Sequence, residues 1–474
     1  MLMRTTASYV PAQLAAPAIQ LIALFLWARV LTPAQVGEIT IIFAIQEGTY
    51  CAFVLWWAQY VLRSISSDAE HLGKAEVRVL VGCLVAQLTA ALLLMTIMFP
   101  LASGLNLLSA GLYALARSYQ VYSSERFRAL SDPWNYSSVQ IGGSGAGVAL
   151  GAIGAHFAGT VDATLLGLAV GNLLFTGAAS RYGARPNVSQ AKEGSALTTL
   201  RLAAVYGVPA AASAGLTFVT LNFQRFVSEA LWGIAFTGFF SLSLSLGIRM
   251  MSVVVMVVTA GAFPIAVREA NTGGLAAGML QLSKNALLLM FFLLPALCIL
   301  GTFGATALSF VLPGQYAGVL DRVFPLALAL AAVKFLRSHT VDQAFLLAKK
   351  TGSLAVAGLI EAAASIALAL ALMPYGYSAL LVGPVVACSA VLMVMAILAH
   401  QSFGFSLPLL RITVLAAVAG LSAGGTWLVG QAATLGGVLF QITASSFAYL
   451  LFATWLSPEG RRAVRNAMRR PPKG

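Results

Sequence analysis

Residues 353–400 read SLAVAGLIEAAASIALALALMPYGYSALLVGPVVACSAVLMVMAILAH, with Glu361 as their only Asp, Glu, Lys or Arg. A Pro-Tyr-Gly break separates two apolar runs, 353–373 and 377–400. Each run reaches the length of about 20 apolar residues that a membrane-spanning helix needs. Because the bilayer core offers no water, such a backbone satisfies its hydrogen bonds as helix. This stretch therefore predicts two consecutive membrane helices.

The same pattern extends through all 474 residues. Hydrophobic residues make up 59% of the chain and charged residues 9%, against about 25% charged residues in a typical soluble protein. Apolar runs of spanning length lie at 7–29, 36–62, 76–99, 101–122, 134–157, 161–180, 202–226, 232–264, 281–308, 320–347, 353–373, 377–400, 411–430 and 434–456. The predicted fold is all-α, a polytopic membrane protein of about fourteen helices, with twelve or thirteen as alternatives.

The distribution of Lys and Arg tests this count, because basic residues collect in cytoplasmic loops. With the N-terminus inside, 22 of the 28 bases lie in cytoplasmic loops or in the tail, and Arg117 is among them. The other six are Arg29, Arg225 and Arg322 outside, and Arg249, Lys334 and Arg337 within helices. Both termini are therefore predicted to be cytoplasmic. The basic tail is interpreted as a topology anchor, with anionic membrane lipids as its alternative partner.

Two segments of the chain resemble each other. Residues 9–12 read YVPA and open the first run, and residues 207–210 read GVPA and open the seventh. Further matching pairs are Arg29 with Arg225, Gly37 with Gly238, and Glu47 with Arg249. We interpret this similarity as a parallel repeat of two six-helix lobes.

The predicted domains follow from this repeat. They are an N-lobe at 1–200, a C-lobe at 201–400, and an extra helix pair with the basic tail at 401–474.

The first hairpin carries a family resemblance. Residues 28–37 read ARVLTPAQVG, and residues 221–227 with 238–242 read LNFQRFV and GFFSL. These segments resemble the polysaccharide-precursor flippases of the multidrug/oligosaccharidyl-lipid/polysaccharide exporter superfamily. Gln224 stands where that family commonly has Asp, which puts an ion-pair role at this position in doubt. The landmarks extend over about residues 5–400 and are more specific for the superfamily than for a substrate.

The resemblance implies two helix bundles around a central cavity that opens alternately to each side. It implies no ATP-hydrolysing part. In the lipid II flippases of the same superfamily, two extra C-terminal helices form a groove for the lipid tail. The runs 411–430 and 434–456 match those helices in position only.

Bases inside the membrane are the predicted substrate-binding residues, because burying one costs about 2.5–3.5 kcal/mol unless it faces a cavity or a partner. Arg249 is the clearest, since it lies near the centre of a long run on one helical face with Ser241, Ser245 and Ser252. The remaining members of the predicted set are Lys334, Arg337, Arg29 and Arg225. For Arg29 and Arg225 the alternatives are a gate at the outer mouth and side chains that extend to the interface.

Acidic residues within the runs are predicted as ion-coupling candidates. They are Glu47, Glu361 and Asp342. The alternative is structural, because three acids would balance the three bases Arg249, Lys334 and Arg337. Arginine suits a pyrophosphate because its planar fork binds phosphate oxygens with two hydrogen bonds.

The predicted function is a flippase of the bacterial inner membrane that moves undecaprenyl-pyrophosphate-linked oligosaccharides for O-antigen or exopolysaccharide synthesis. The alternatives are a cation-coupled multidrug antiporter of the same fold, a lipid II flippase, and a scaffold without transport. Polysaccharide polymerase and chain-length proteins would be further partners. The sequence carries no nucleotide-binding loop, no His/Cys cluster and no catalytic set, so we expect no enzyme, cofactor, metal or nucleic-acid partner.

Overall fold

The computed structural model describes residues 2–66, 73–99, 107–182, 196–259, 262–430 and 432–456. Across these ranges the regular structure is helical, and no strand occurs in them. The α-helices are α1 Leu2–Val30, α2 Pro33–Phe53, α3 Leu55–Ser66, α4 Gly73–Met98, α5 Leu107–Ala129, α6 Pro133–Ser137, α7 Ser144–Ala158, α8 Val161–Tyr182, α9 Ala196–Thr259, α10 Ala262–Ser309, α11 Ala317–Leu336, α12 Asp342–Leu347, α13 Thr351–Leu372, α14 Ala379–Phe403, α15 Leu409–Leu428 and α16 Leu435–Leu456. Short π-helices at Ser138–Gly143 and Arg337–Val341 join α6 to α7 and α11 to α12.

The described chain contains ten helical segments that are long and apolar enough to cross a membrane, or eleven when the bent pair α2 and α3 counts as one span. Two of the ten, α9 and α10, each contain a break at a glycine. The all-α, multi-pass membrane fold is therefore confirmed. The basic tail predicted beyond Leu456 lies outside the described residues.

The fourth predicted run was placed wrongly. Helix α5 spans Leu107–Ala129, whereas the apolar pattern predicts 101–122. Arg117 lies ten residues into this helix and not in a cytoplasmic loop. The reason is physical: α5 carries four charged side chains and is too polar for an apolar window to find its end.

Glycine breaks α9 into two antiparallel helices. Gly233 has φ 79° and ψ 172°, a conformation that side chains with a Cβ rarely adopt. The Arg225 guanidinium donates a hydrogen bond of 2.9 Å to the Ser245 hydroxyl. In one straight helix these two residues would be about 30 Å apart, so the chain reverses direction at Gly233.

Helix α2 begins at a well-defined cap. Thr32 is the N-cap residue, and its hydroxyl accepts a hydrogen bond from the Gln35 backbone N–H at 3.3 Å. The Gln35 side chain in turn accepts one from the Thr32 backbone N–H at 2.9 Å. This reciprocal capping, with Pro33 in the first helical position, fixes where α2 starts.

Two glycines allow α2 to pack closely against the second half of α9. A Cβ added to Gly37 would overlap the carbonyl oxygen of Ile234, and a Cβ added to Gly238 would overlap that of Pro33. Gly37 and Gly238 are a matching pair in the predicted repeat, and here they lie against each other. Such mutual contact is what an axis relating the two copies would produce.

The chain divides into two compact units. The first comprises Met1–Arg249 and Thr351–Ala387, and the second comprises Met250–Lys350 and Cys388–Gly474. The lobes at 1–200 and 201–400 and the extra pair at 401–474 are a different division and stay a prediction. Within the second unit, α15 and α16 pack on α10, where the Tyr449 hydroxyl donates to the carbonyl oxygen of Phe291 at 2.7 Å.

Candidate functional site

Three arginines and one glutamate of the first unit interact electrostatically inside the helical region. We call Glu47 on α2, Arg117 on α5, and Arg225 and Arg249 on α9 the arginine cluster. Glu47 attracts both Arg225 and Arg249, whereas Arg249 is repelled by Arg225 and by Arg117. Three positive charges against one negative charge leave this cluster with an excess of two positive charges.

Arg225 is held in place but retains binding capacity. Its terminal nitrogen donates to Ser245, as described above, while its Nε is buried without a hydrogen-bond partner among the described residues. Burying an unsatisfied donor costs about 1–3 kcal/mol or more for a charged group. A ligand with acceptor oxygens would satisfy this donor.

The serine face predicted around Arg249 turns away from lipid. Ser241 is fully buried, and Ser245 and Ser252 are each 8% exposed. Arg249 itself is half-buried. The Ser241 hydroxyl is buried without a hydrogen-bond partner in the described part of the chain. The residues between these serines, Leu242, Ser243, Leu244 and Leu246, are buried as well, so it stays a prediction that the serine face lines water.

A buried polar network borders the cluster, and sequence reasoning missed it. The Ser118 hydroxyl on α5 accepts hydrogen bonds from Gln46 on α2 at 3.0 Å and from Gln87 on α4 at 2.6 Å. Arg117 donates to the Gln120 side chain at 2.6 Å, which orients its guanidinium. The available signal was the run of polar residues in α5, which is unusual within a span.

The second unit holds another charged group, which we call the π-helix trio: Lys334, Arg337 and Asp342. Lys334 lies in the last turn of α11, and Arg337 begins the π-helical turn that leads to Asp342. The Arg337 Nε donates to the Asp342 carboxylate at 3.1 Å. Lys334 is 8% exposed and Arg337 is 6% exposed, so both bases are buried. Single π-helical turns inside α-helices are frequent at functional sites.

Two predicted site residues, Arg29 and Glu361, belong to neither the arginine cluster nor the π-helix trio. Arg29 is exposed at the end of α1, so its surroundings differ from those of its repeat partner Arg225. Glu361 is fully buried on α13 in the first unit, one turn before the equally buried Ser365. Across the described residues, no group of three His, Cys, Asp or Glu side chains is placed to hold a metal ion.

Solved structures share this fold. A lipid II flippase, MurJ in its inward closed conformation, matches with a TM-score of 0.71 at 13% identity, over 97% of this chain and 99% of that one. A multidrug resistance MATE family transporter of the MOP superfamily, in an inward-facing conformation, matches with a TM-score of 0.57 at 14% identity, over 83% and 98%.

A third match points to differences of polarity within this fold. It is a MOP superfamily transporter from Pyrococcus furiosus whose binding pocket is described as having reverse polarity, with a TM-score of 0.55 at 14% identity over 85% and 95%. No protein-family model matches the chain, and no curated protein sequence matches it. At these identities the likeness establishes the fold of this chain.

Proposed function

We propose that this protein is a transporter that flips undecaprenyl-pyrophosphate-linked oligosaccharides across the bacterial inner membrane by alternating access, for O-antigen or exopolysaccharide synthesis. The observation that carries the proposal is the arginine cluster, which places an excess of positive charge among membrane helices. Positive charge there is costly and is retained where it contacts an anion. A pyrophosphate is the anionic part of the proposed substrate.

The geometry of arginine favours a diphosphate over a neutral or cationic substrate. Each guanidinium offers a planar fork of donors that fits two phosphate oxygens. Arg225 and Arg249 would contact the pyrophosphate, with Ser241 and Ser252 within the same polar face. Lys334 of the π-helix trio and the exposed Arg29 are proposed as weaker contacts at other stages of transport.

Coupling to an ion gradient would require an acid that titrates or binds a cation. Glu47 is our first proposal, because it is exposed and interacts with both Arg225 and Arg249. Glu361 and Asp342 are the other two proposals, although Asp342 already accepts a hydrogen bond from Arg337. The membrane potential acting on the bound anion would be an alternative energy source.

A lipid II flippase is a second candidate function, and one observation favours it. The match to MurJ covers 97% of this chain, whereas the MATE match covers 83%. The same pyrophosphate contacts would serve either substrate. A multidrug antiporter for cationic drugs is disfavoured, because the arginine cluster would repel a cation.

The test begins with deletion of the gene in its host. The expected result is loss of surface polysaccharide with polyprenyl-pyrophosphate intermediates accumulating on the cytoplasmic face. Normal polysaccharide with normal intermediates would reject the proposal. Accumulation of lipid II in place of polysaccharide intermediates would support the second candidate.

Complementation then tests the cluster. Arg249→Gln should fail to restore transport, and Arg249→Lys should restore it in part, since a lysine keeps the charge without the fork. Arg322→Gln is the matched control, because Arg322 is an exposed arginine in the second turn of α11. Equal complementation by Arg249→Gln and Arg322→Gln would contradict the assignment.

A further inference from the structure

An apolar crevice lies between the bent pair α2 and α3 and the first half of α9, all in the first unit. Its volume is ≈ 370 Å³, and its lining includes Gly48, Cys51, Trp56, Ala212, Gly215 and Phe218. Small residues create the space: a Cβ added to Gly215 would have nothing within 4 Å. Exposed residues at its edges, Ala52, Val208 and Ala212, leave the crevice accessible from the side of the protein.

One end of the crevice is closed by tight contacts between α3 and the first half of α9. A Cβ added to Gly207 would overlap the carbonyl oxygen of Trp56, so the two backbones touch there. Two turns beyond Trp56, the Arg63 guanidinium lies 4.2 Å from the centre of the Tyr206 ring. Both contacts lie at the same end, and a chain-like ligand would therefore enter from the side.

The other end leads to the arginine cluster. On α2, Gly48 directly follows Glu47, and Glu47 interacts electrostatically with Cys51 of the crevice as well as with Arg225 and Arg249. On α9, Arg225 follows Phe218 by seven residues, which places both on one helical face about 10 Å apart. An apolar surface thus continues into a cationic site along two helices.

We propose that this crevice holds the first isoprene units of the polyprenyl chain while the pyrophosphate lies against the arginine cluster. The inference rests on the proposed function and specifies the subsite for the lipid tail. An amphiphile with an apolar chain and an anionic head fits this arrangement, in which the apolar lining near Trp56 leads to the cationic Arg225. A bacterial phospholipid has the same two parts, and the experiments below distinguish the two ligands.

The first experiment fills the crevice. Gly215→Leu projects a side chain into the open space, and Gly177→Leu on α8 is the matched control, because a Cβ at Gly177 also has nothing within 4 Å. Purified protein in vesicles is assayed with one oligosaccharide pyrophosphate attached either to an undecaprenyl chain or to a methyl group, which lacks the first isoprene units. Excluding two methylene groups from an apolar site corresponds to about a tenfold loss of affinity.

We expect Gly215→Leu to lose undecaprenyl transport by about tenfold or more and transport of the methyl substrate by less than about twofold. Gly177→Leu should behave like the unsubstituted protein. Equal losses for both chain lengths, or no loss, would overturn the tail subsite while leaving the flippase intact. Failure of the unsubstituted protein to move either substrate would instead overturn the proposed function.

The second experiment does not depend on folding of a crevice variant. Cys51 is half-buried in the crevice lining, so a variant with Cys83, Cys298 and Cys388 replaced by serine reports on it alone. Labelling by a membrane-permeant thiol reagent is followed with undecaprenyl pyrophosphate, inorganic pyrophosphate or phosphatidylglycerol added.

We expect undecaprenyl pyrophosphate alone to slow labelling, by about fivefold or more, since it alone combines the chain with the diphosphate. Protection by inorganic pyrophosphate would place the effect at the head group and overturn the tail subsite. Equal protection by phosphatidylglycerol would assign the crevice to membrane phospholipid and overturn it as well.

Discussion

The arginine cluster and the π-helix trio contain the same kinds of charge but arrange them differently. In the trio, Arg337 is bonded at 3.1 Å to Asp342, five residues along the same chain segment, and both bases are buried. In the cluster, Arg225 and Arg249 are half-buried and share one exposed acid, Glu47. A local pair satisfies itself, whereas the cluster draws its members from three helices.

This difference separates a structural role from a binding role. A buried ion pair is costly to break but contributes little when it is intact. An excess of half-buried cations that share one acid contributes little to folding and is suited to bind an anion. Removing charge from the trio should therefore lower stability, and removing charge from the cluster should lower transport.

The largest expected effect is on stability. Asp342→Asn should destabilise the protein by about 3–5 kcal/mol, because it leaves the buried Arg337 guanidinium without its carboxylate. Thermal unfolding in detergent measures the change. The double variant Arg337→Gln with Asp342→Asn should regain most of the loss, since both charges are then removed together. A single variant as stable as the parent protein would show that the pair does not secure the π-helical turn.

The next effect is on transport. Arg225→Gln should lower transport by about 10- to 100-fold, which corresponds to losing about 1.5–3 kcal/mol of charged hydrogen bonding. Its melting temperature should stay close to that of the parent protein, in contrast with Asp342→Asn. Arg29→Gln is the comparison variant, because Arg29 occupies the matching position of the predicted repeat but is exposed, and as the weaker proposed contact its removal should cost less transport than removal of Arg225. Similar losses in the two variants would mean that the repeat, and not the cluster, determines function.

Much of the fold could be predicted from the sequence because membrane spans are recorded in local composition. The hairpin at 353–400 is observed as α13 and α14. Pro33 marks the start of α2. Each of these features depends on residues a few positions apart.

The rest depends on contacts that local composition does not encode. Arg117 was predicted to lie in a loop, because α5 carries four charged side chains and an apolar window does not reach its end. The meeting of Gly37 with Gly238 joins residues about 200 positions apart. The repeat suggested equal roles for Arg29 and Arg225, but Arg29 is exposed, whereas the reversal at Gly233 brings the Arg225 guanidinium to the Ser245 hydroxyl.

A smaller effect should follow from loosening Arg225 without removing its charge. Ser245→Ala deletes the acceptor of the 2.9 Å hydrogen bond and should lower substrate affinity by about two- to tenfold, the value of about 0.5–1.5 kcal/mol. Binding of undecaprenyl pyrophosphate to the purified protein measures it. Ser243→Ala is the control, because Ser243 is buried on the same helix and bonds only to the carbonyl oxygen of Phe239 among the contacts described. Equal effects would assign the change to packing.

The smallest effect on affinity should come from Glu47→Gln, and its sign is opposite. Removing the exposed acid deletes the attraction that Arg225 and Arg249 now share, so pyrophosphate should bind about two- to fivefold more tightly, the range of an exposed ion pair. If Glu47 also couples transport to an ion gradient, the variant should exchange substrate between leaflets without responding to an imposed gradient. Loss of that response in Asp342→Asn, measured below its melting temperature, would instead favour Asp342 as the coupling acid. Unchanged affinity together with a full gradient response in Glu47→Gln would show that this acid neither weakens anion binding at Arg225 and Arg249 nor couples transport to an ion gradient.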